Sequence, residues 1–262
     1  MHPEKPKNMS EYEAWLNDQR GIKIEHRHRS HYESVTNKIQ KDISNSDFWA
    51  ELKANLGNFE GEYLAQTGYH LFMPGHPPEW VIKPFDSFFL KTFRRNTLEN
   101  EYWPNEPHGG WVLPDNWFSR IGDILRTLFV VKYMDGVQFL SDRIVSLWEE
   151  HGGQCTAVFE AREEGYYAAH LNGAQEFDVP KLTWDTEPIT VTTEIQITTQ
   201  LQEVIRRLLH KYYEERRKAT TKPAKWQWDH SSDEFVANYL GHILHYVEGM
   251  IMEIREKQEG DK

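Results

Sequence analysis

The sequence predicts an α/β (α+β) chain: a mixed β-sheet flanked by helices, with helical extensions at its N- and C-terminal ends. Three observations predict it. From Ile189 to Ile197 the residues alternate strictly, with Ile189, Val191, Thr193, Ile195 and Ile197 on one side and Thr190, Thr192, Glu194, Gln196 and Thr198 on the other. That period of two belongs to a strand with one apolar face. The stretch 120–134, "RIGDILRTLFVVKYM", ends in a continuous β-prone run and passes directly into "DGVQFLSDRIVSLWEE", whose apolar residues recur at helical spacing. Strand followed by helix is the repeat of an α/β fold. Residues 9–66 and the last thirty residues carry helical patterns instead.

Composition narrows the function. Of 262 residues, 39% are hydrophobic and 13% aromatic, enough apolar material for a packed core. The formal net charge is -11, so nucleic acid or an anionic membrane is repelled unless it meets a local basic patch. One cysteine, Cys155, permits no intrachain disulfide. No apolar run approaches the length of a bilayer span, and the N-terminal residues lack a charged-then-apolar leader pattern. The expectation is a soluble, cytoplasmic protein with no membrane partner.

In chain order, "SEYEAWLNDQ" opens a helix with Ser10 ahead of acidic residues, and "DFWAELKANL" continues the helical pattern. "HLFMPGHPPEW" at 70–80 is turn chemistry. The extended run "WVIK" then passes Pro84 into the helix "FDSFFLKTFRRN", and "EYWPNEPHGGWVLPDNW" is a long irregular insertion. "TAVFEA" and "YYAAHL" are strands around a Glu-Glu-Gly turn at 163–165. After the alternating strand comes a helix with Leu201, Val204, Ile205, Leu208, Leu209 and Tyr212 on one stripe and Arg206, Arg207 and His210 on the other face. Residues 219–230 read as a linker. Ser231 to Glu234 forms a capping-box pattern before a last helix bearing Phe235, Tyr239, Ile243, Tyr246, Val247, Met250 and Ile254. The boundaries expected are a helical extension over 1–80, a core over 81–218, and a linker with C-terminal helix over 219–262.

Several groups have chemistry to offer. Lys83, Ser87 and Lys91 fall at intervals of four on one helical face, with Arg94 and Arg95 just beyond. Converging charged donors of this kind hold a triphosphate; a solvated basic face is the plainer reading. Asp123 stands just ahead of the β-prone run, and with Glu194 it supplies the two carboxylates of a magnesium site for phosphoryl chemistry, or else a simple cap. Tyr166 and His170 lie on one side of a strand, where an exposed tyrosine stacks on a nucleobase and a buried one fills a hairpin. His242, His245 and Glu248 on the last helix read as polar packing rather than a zinc site, and "EHRHRSH" at 25–31 as a solvated face. There is no glycine-rich phosphate loop, and Cys155 has no nucleophile signature.

Taken in order, Lys83-x3-Ser87-x3-Lys91, Asp123, Gly165-Tyr166-x3-His170 and Glu194-Ile-Gln-Ile-x-Thr199, with His210 eleven residues later, resemble the RelA/SpoT synthetase domain over roughly residues 81–213. The resemblance implies a nucleotidyltransferase-like core and an ATP-dependent pyrophosphokinase. Members move the β,γ-pyrophosphate of ATP to a ribose 3′-hydroxyl, usually of GDP or GTP, making the alarmone (p)ppGpp. It further implies that Lys83, Ser87, Lys91 and Arg95 hold ATP and that Asp123 and Glu194 act with Mg²⁺. Tyr166 would stack on the acceptor base, with His170, Gln196, Thr199 and His210 contributing to the acceptor side. Glu194 would draw the proton from the attacking hydroxyl.

The chain departs from the family pattern in places. "QCTAVFEAREEGYY" replaces the usual Lys-Asp-Tyr loop signature, and Thr198 and Leu128 stand where arginines are expected. A branch of the family places the pyrophosphate on the 3′-end of tRNA and blocks translation. A basic run from Arg206 to Lys225, interleaved with Tyr212, Tyr213 and Trp226, is a candidate track for such a polyanion. Nucleotide substrates are thus the expected partners, with tRNA, and an antitoxin or regulator, on the alternative reading. A binding module that keeps the fold without catalysis is the reading from another class.

Overall fold

The computed structural model describes residues 4–75, 77–181, 185–209 and 226–260. His210 and the run from Lys211 to Lys225 lie outside the described residues. Among the described residues are α1 (Met9–Arg20), α2 (His26–Ser44), α3 (Asp47–Thr67), α4 (Phe85–Phe93), α5 (Trp117–Arg120), α6 (Met134–Glu150), α7 (Gln200–Leu208) and α8 (Asp233–Gly260). The strands are β1 (Val81–Ile82), β2 (Leu125–Val131), β3 (Gln154–Ala161), β4 (Tyr167–Pro180) and β5 (Thr186–Thr199). They form one five-stranded mixed sheet in the order β1-β2-β5-β4-β3, flanked by helices, as expected. β1 runs antiparallel to β2, pairing Val81 with Arg126 and Ile82 with Leu125. The alternation expected in β5 is present at its start. From Thr193 onward burial closes over both faces, so that Glu194, Thr198 and Thr199 are buried along with Ile195 and Ile197.

Helices α1 and α8 each start at a side-chain oxygen that accepts from one of the otherwise unpaired N–H groups of the first turn. The cap of α1 is Asn8, which accepts from Glu11 N at 2.9 Å, and not Ser10. The cap of α8 is Ser232, which accepts from Phe235 N at 3.1 Å, and not Ser231, whose hydroxyl donates to Asp229. In both cases a neighbouring polar residue is the one placed to reach the N3 amide.

The chain packs as two compact units, each assembled from three separate stretches of sequence. The first comprises Met1–Asn45, Trp80–Arg126 and Ala174–Thr193. Aromatic rings fill it: Tyr32 stacks on Phe88 at 4.4 Å between centroids, and Trp117 meets Phe88 edge-on at 5.2 Å. The buried hydroxyl of Tyr12 is bonded to Thr92 and Asn96, and burial pushes it up to about 12.

The second unit comprises Ser46–Glu79, Thr127–Gly173 and Glu194–Lys262. Phe48 packs on Trp148 at 4.2 Å, and Gly173 is required there, because a Cβ would sit 2.2 Å from the Trp148 ring. Two helices of this unit correct the sequence reading. On α7 the buried residues are Gln202, Glu203 and Ile205, while Val204 and Leu208 of the expected apolar stripe face solvent. On α8 the buried residues include Ala237, Asn238, Glu248 and Arg255, while Tyr239, Ile243, Tyr246, Met250 and Ile254 are exposed. The inward sides of both helices are polar because their buried charges are paired: Glu203 takes Arg206 and Arg207, and Arg255 takes Asp135 at 3.1 Å while lying over the rings of Tyr69 and Tyr133.

The turn between β3 and β4 is docked on α8 through two glycines. Gly165 has φ +75, and a Cβ there would lie 2.3 Å from Asn238 O and 3.0 Å from His242 N. Gly165→Ala therefore combines left-handed strain with a backbone clash, and is expected to cost about 3 kcal/mol. Urea unfolding monitored by circular dichroism measures this directly, and a loss below about 1 kcal/mol would show that the turn relaxes away from α8.

Candidate functional site

Two constellations carry the residues singled out in the sequence, one in each unit. In the first unit, Asp123 occupies the turn that leads into β2 and receives two ammonium groups. Lys83 Nζ lies 2.8 Å from Oδ2 and Lys91 Nζ 2.8 Å from Oδ1. Lys91 comes from α4, as expected. Lys83 does not belong to that helical face: its backbone N–H joins the β1–β2 ladder by donating to Ile124 O at 2.8 Å, and Pro84, which holds its preceding residue extended, starts the helix only afterwards. The lysine reaches Asp123 from the end of a strand. Tyr32, donating to Lys83 O at 2.7 Å, fixes this segment from α2.

The electrostatics follow from the close grouping. Burial raises the Asp123 carboxyl, but the Lys91 and Lys83 charges more than offset this and hold it at about 2, against an ordinary 3.8. Burial lowers Lys83 in spite of Asp123, with further repulsion from Lys91 and Arg126. Arg126 is a residue that the sequence reading passes over. It lies on the same side of β2 as Leu128, two residues earlier, and so brings a guanidinium to the strand face where the family pattern has an arginine. The signal that could have found it is a shift of one strand repeat. Ser87 is exposed on α4. Arg95 sits in a π-helical turn, Arg94–Leu98, that interrupts the helical register, and its guanidinium donates to Arg120 O at 2.6 Å.

In the second unit, Glu194 of β5 and His170 of β4 are both buried. His170 Nδ1 lies 2.6 Å from Glu194 Oε1, and Gln196 Nε2 donates to Glu194 Oε2 at 2.8 Å. A carboxylate oxygen only accepts, so Nδ1 carries the hydrogen; in the neutral ring Nε2 then accepts from the Tyr166 hydroxyl at 2.9 Å. Burial first, and the Glu194 charge next, push that hydroxyl up to about 12. Glu160, also passed over in the sequence, lies 3.7 Å from His170 Nε2. Arg162 covers one face of the Tyr166 ring at 5.2 Å. The result is a directed chain from Tyr166 through His170 to Glu194, able to orient a carboxylate and to support a proton arriving on it.

Thr199 is engaged in structure. It caps α7 by accepting from Gln202 N at 3.3 Å, and its hydroxyl donates to the buried Glu248, whose carboxyl burial drives upward. His245, beside Glu248 at 3.4 Å, stacks on Tyr167, and His242 bonds the Tyr167 hydroxyl at 2.8 Å, so these histidines pack as the sequence reading expects. Thr198, standing where an arginine is usual, is buried and donates to Tyr167 O at 3.2 Å. Among the described residues no group of three or more histidine, cysteine, aspartate or glutamate side chains is arranged to hold a metal ion, and no helix is long and apolar enough to cross a membrane.

No protein-family model matches the chain, and no curated protein matches it in sequence. Solved structures do match. Small alarmone synthetase 1 of Bacillus subtilis bound to its product pppGpp superposes with a TM-score of 0.53 at 15% identity, over 80% of this chain and 92% of that one. A second structure of the same synthetase gives 0.52 at 14%, over 96% and 100%. The smu.1046c protein of Streptococcus mutans gives 0.51 at 14%, over 81% and 92%. The chain shares the fold of the small alarmone synthetases.

The charge balance at Asp123 is testable. A carboxyl depressed from 3.8 to about 2 contributes about 2 kcal/mol to folding, present in full above about pH 4 and lost as pH falls toward 2. Asp123→Asn should therefore destabilise the protein by about 2 kcal/mol at neutral pH. In urea titrations, its gap from wild type should close between pH 4 and pH 2; a gap unchanged at pH 2 would assign the loss to packing rather than charge.

Proposed function

We propose that this chain is a nucleotide pyrophosphokinase that transfers the β,γ-pyrophosphate of ATP to the ribose 3′-hydroxyl of GDP or GTP. The observation that carries the reading is the buried Glu194 held by His170 and Gln196, in a chain with the fold of a synthetase solved with pppGpp. Lys83 and Lys91, with Ser87 and Arg95, are the donors proposed for the polyphosphate of ATP. Tyr166, whose ring Arg162 covers on one side, is proposed to meet the acceptor base. His210 stays a proposed acceptor contact on the family pattern alone.

In the proposed step the 3′-oxygen attacks the β-phosphorus, the bond between that phosphorus and the oxygen bridging to the α-phosphorus breaks, and AMP leaves. The hydroxyl proton passes to Glu194. Two donors already fix the orientation of that carboxylate, so little reorganisation is needed as the proton arrives. Transfer of this kind depends chiefly on positioning and on neutralising phosphate charge. Magnesium, when bound, would supply part of that neutralisation; Asp123, kept ionised by its lysines, and Glu194 are the carboxylates proposed for it on the family pattern. An ion that takes one or two carboxylates and otherwise keeps water and phosphate oxygens needs no larger protein cage.

Of the basic run considered for tRNA, the two described arginines, Arg206 and Arg207, share the one carboxylate of Glu203, which offsets half of their charge. This weakening of the local basic patch favours the mononucleotide acceptor. The test is to supply Mg²⁺ and γ-labelled ATP with GDP, GTP or deacylated tRNA in separate reactions. Label should move to GDP or GTP, and Glu194→Gln should slow the transfer by about 10²–10⁴-fold. Label on tRNA alone would replace the acceptor, and transfer to none of the three would leave a binding module in place of an enzyme.

A further inference from the structure

Among the described residues, five arginines lie over aromatic rings, and four of them are also held by a carboxylate: Arg29 by Asp86, Arg143 by Glu62, Arg162 by Glu160 and Arg255 by Asp135. Arg20 is the exception. Exposed in the last turn of α1, it stands with its guanidinium carbon 4.4 Å from the centre of the Trp111 ring and 5.4 Å from that of Trp15, and among the described residues no carboxylate pairs with it. The rings beneath it form a cluster of three. Trp15 and Trp111 lie 4.9 Å apart, and Trp103 stands 5.4 Å from the first and 6.0 Å from the second, to which it is nearly perpendicular. Trp15 is buried and stacked on Tyr12, while Trp103 and Trp111 are half-buried. The main chain around Trp111 is fixed in place: Asn96 exchanges two hydrogen bonds with Val112, at 2.8 and 2.9 Å, and Asn116 donates to Trp111 O at 3.0 Å.

The charge of the segments that supply these rings points the same way. Residues 9–20 and 99–116 carry seven exposed carboxylates and no lysine, and Arg20 is their one arginine. Glu11 is tied to Asn8, Asp18 to Asn17 and Glu99 to Arg94; Glu13, Glu101, Glu106 and Asp115 add to a negative surface that attracts a cation before it reaches the rings, and the C-terminal end of α1 adds to that attraction. We propose that the tryptophan cluster binds an arginine side chain of a protein partner, with Arg20 as the resident that holds its place. The resident shows that a guanidinium fits. Indoles are the best aromatic partners of a cation, and a guanidinium stacks on them and gives up its water more readily than an ammonium does. A neutral side chain of the same shape gains nothing from the carboxylates around the cluster. Because the rings alone hold Arg20, an incoming arginine displaces it without leaving a carboxylate unpaired, which is not true of the other four.

The proposal is independent of the pyrophosphokinase reading and is tested without nucleotide, on the full chain labelled with ¹⁵N. The probes are acetyl-Gly-Arg-Gly-amide and its counterparts with lysine or citrulline in place of arginine, and the readout is the indole N–H signals of Trp103 and Trp111, assigned through Trp→Phe variants. The arginine peptide should move both signals saturably, the lysine peptide should bind severalfold more weakly, and the citrulline peptide, uncharged but of the same shape, should leave them unmoved. Arg20→Ala removes a competitor: with the resident in place about nine-tenths of the time, the variant should bind the arginine peptide about tenfold more tightly, the opposite of what a lost contact would do. Trp111→Leu, checked for an unchanged far-ultraviolet spectrum, should abolish the response at Trp103; the citrulline comparison needs no variant. An equal response to the citrulline peptide, or Arg20→Ala binding no more tightly than wild type, overturns the proposal. Tighter binding of tetramethylammonium than of the arginine peptide would overturn the choice of ligand.

Discussion

A carboxylate buried at the C-terminal half of β5 has to be given hydrogen-bond donors by the fold around it, and much of the second unit is arranged to do so. Glu194 draws His170 from β4 and Gln196 from its own strand, and His170 in turn holds Tyr166. The adjacent buried threonines extend the same requirement. Thr198 reaches the β4 backbone, and Thr199 joins the start of α7 to Glu248 of α8. Strand pairing alone would align β4 and β5 without deciding which side chains meet. The polar contacts decide it, because an unpaired buried donor or acceptor here would cost about 1–3 kcal/mol.

In the first unit the comparable constraint is Asp123. Two lysines on a bare surface would repel each other and hydrate freely. Clasped by one aspartate, they are held close together and partly dehydrated. On the proposed reading, an arriving polyphosphate would meet cations already gathered but would have to share them with an internal anion, so that several phosphate groups would compete with Asp123 where a weakly charged ligand would not.

Much of this is legible in the sequence. Asp123 ahead of a β-prone run and the turn before Tyr166 each rest on local rules, and the structure has them where those rules expect; the period of two in β5 holds at its start and gives way to burial on both faces from Thr193. Where sequence and structure differ on the helices, the cause is shared. Periodicity reveals that a helix has an apolar face without saying which way that face turns, so the stripes of α7 and α8 point in the sequence to a core that polar residues occupy instead. Only the partners, Asp135 for Arg255 and Thr199 for Glu248, make the polar side the inner one, and they are remote in sequence. Lys83 differs for another reason. Its spacing to Ser87 and Lys91 is helical, but the proline after it keeps it extended, just past the end of β1. The repulsion that Arg126 exerts on Lys83 depends on pairing across β1 and β2, which no local pattern encodes.

Where the β3–β4 turn rests on α8, main chain meets main chain, and the space left for a side chain at Gly165 or Gly241 is smaller than a methyl group: a Cβ at either position would come within 2.3 Å of a backbone oxygen. The two positions are therefore not free to change separately. While the turn stays seated on the helix, a substitution at one glycine cannot be absorbed by a change at the other, since each leaves room only for a hydrogen where a side chain would begin.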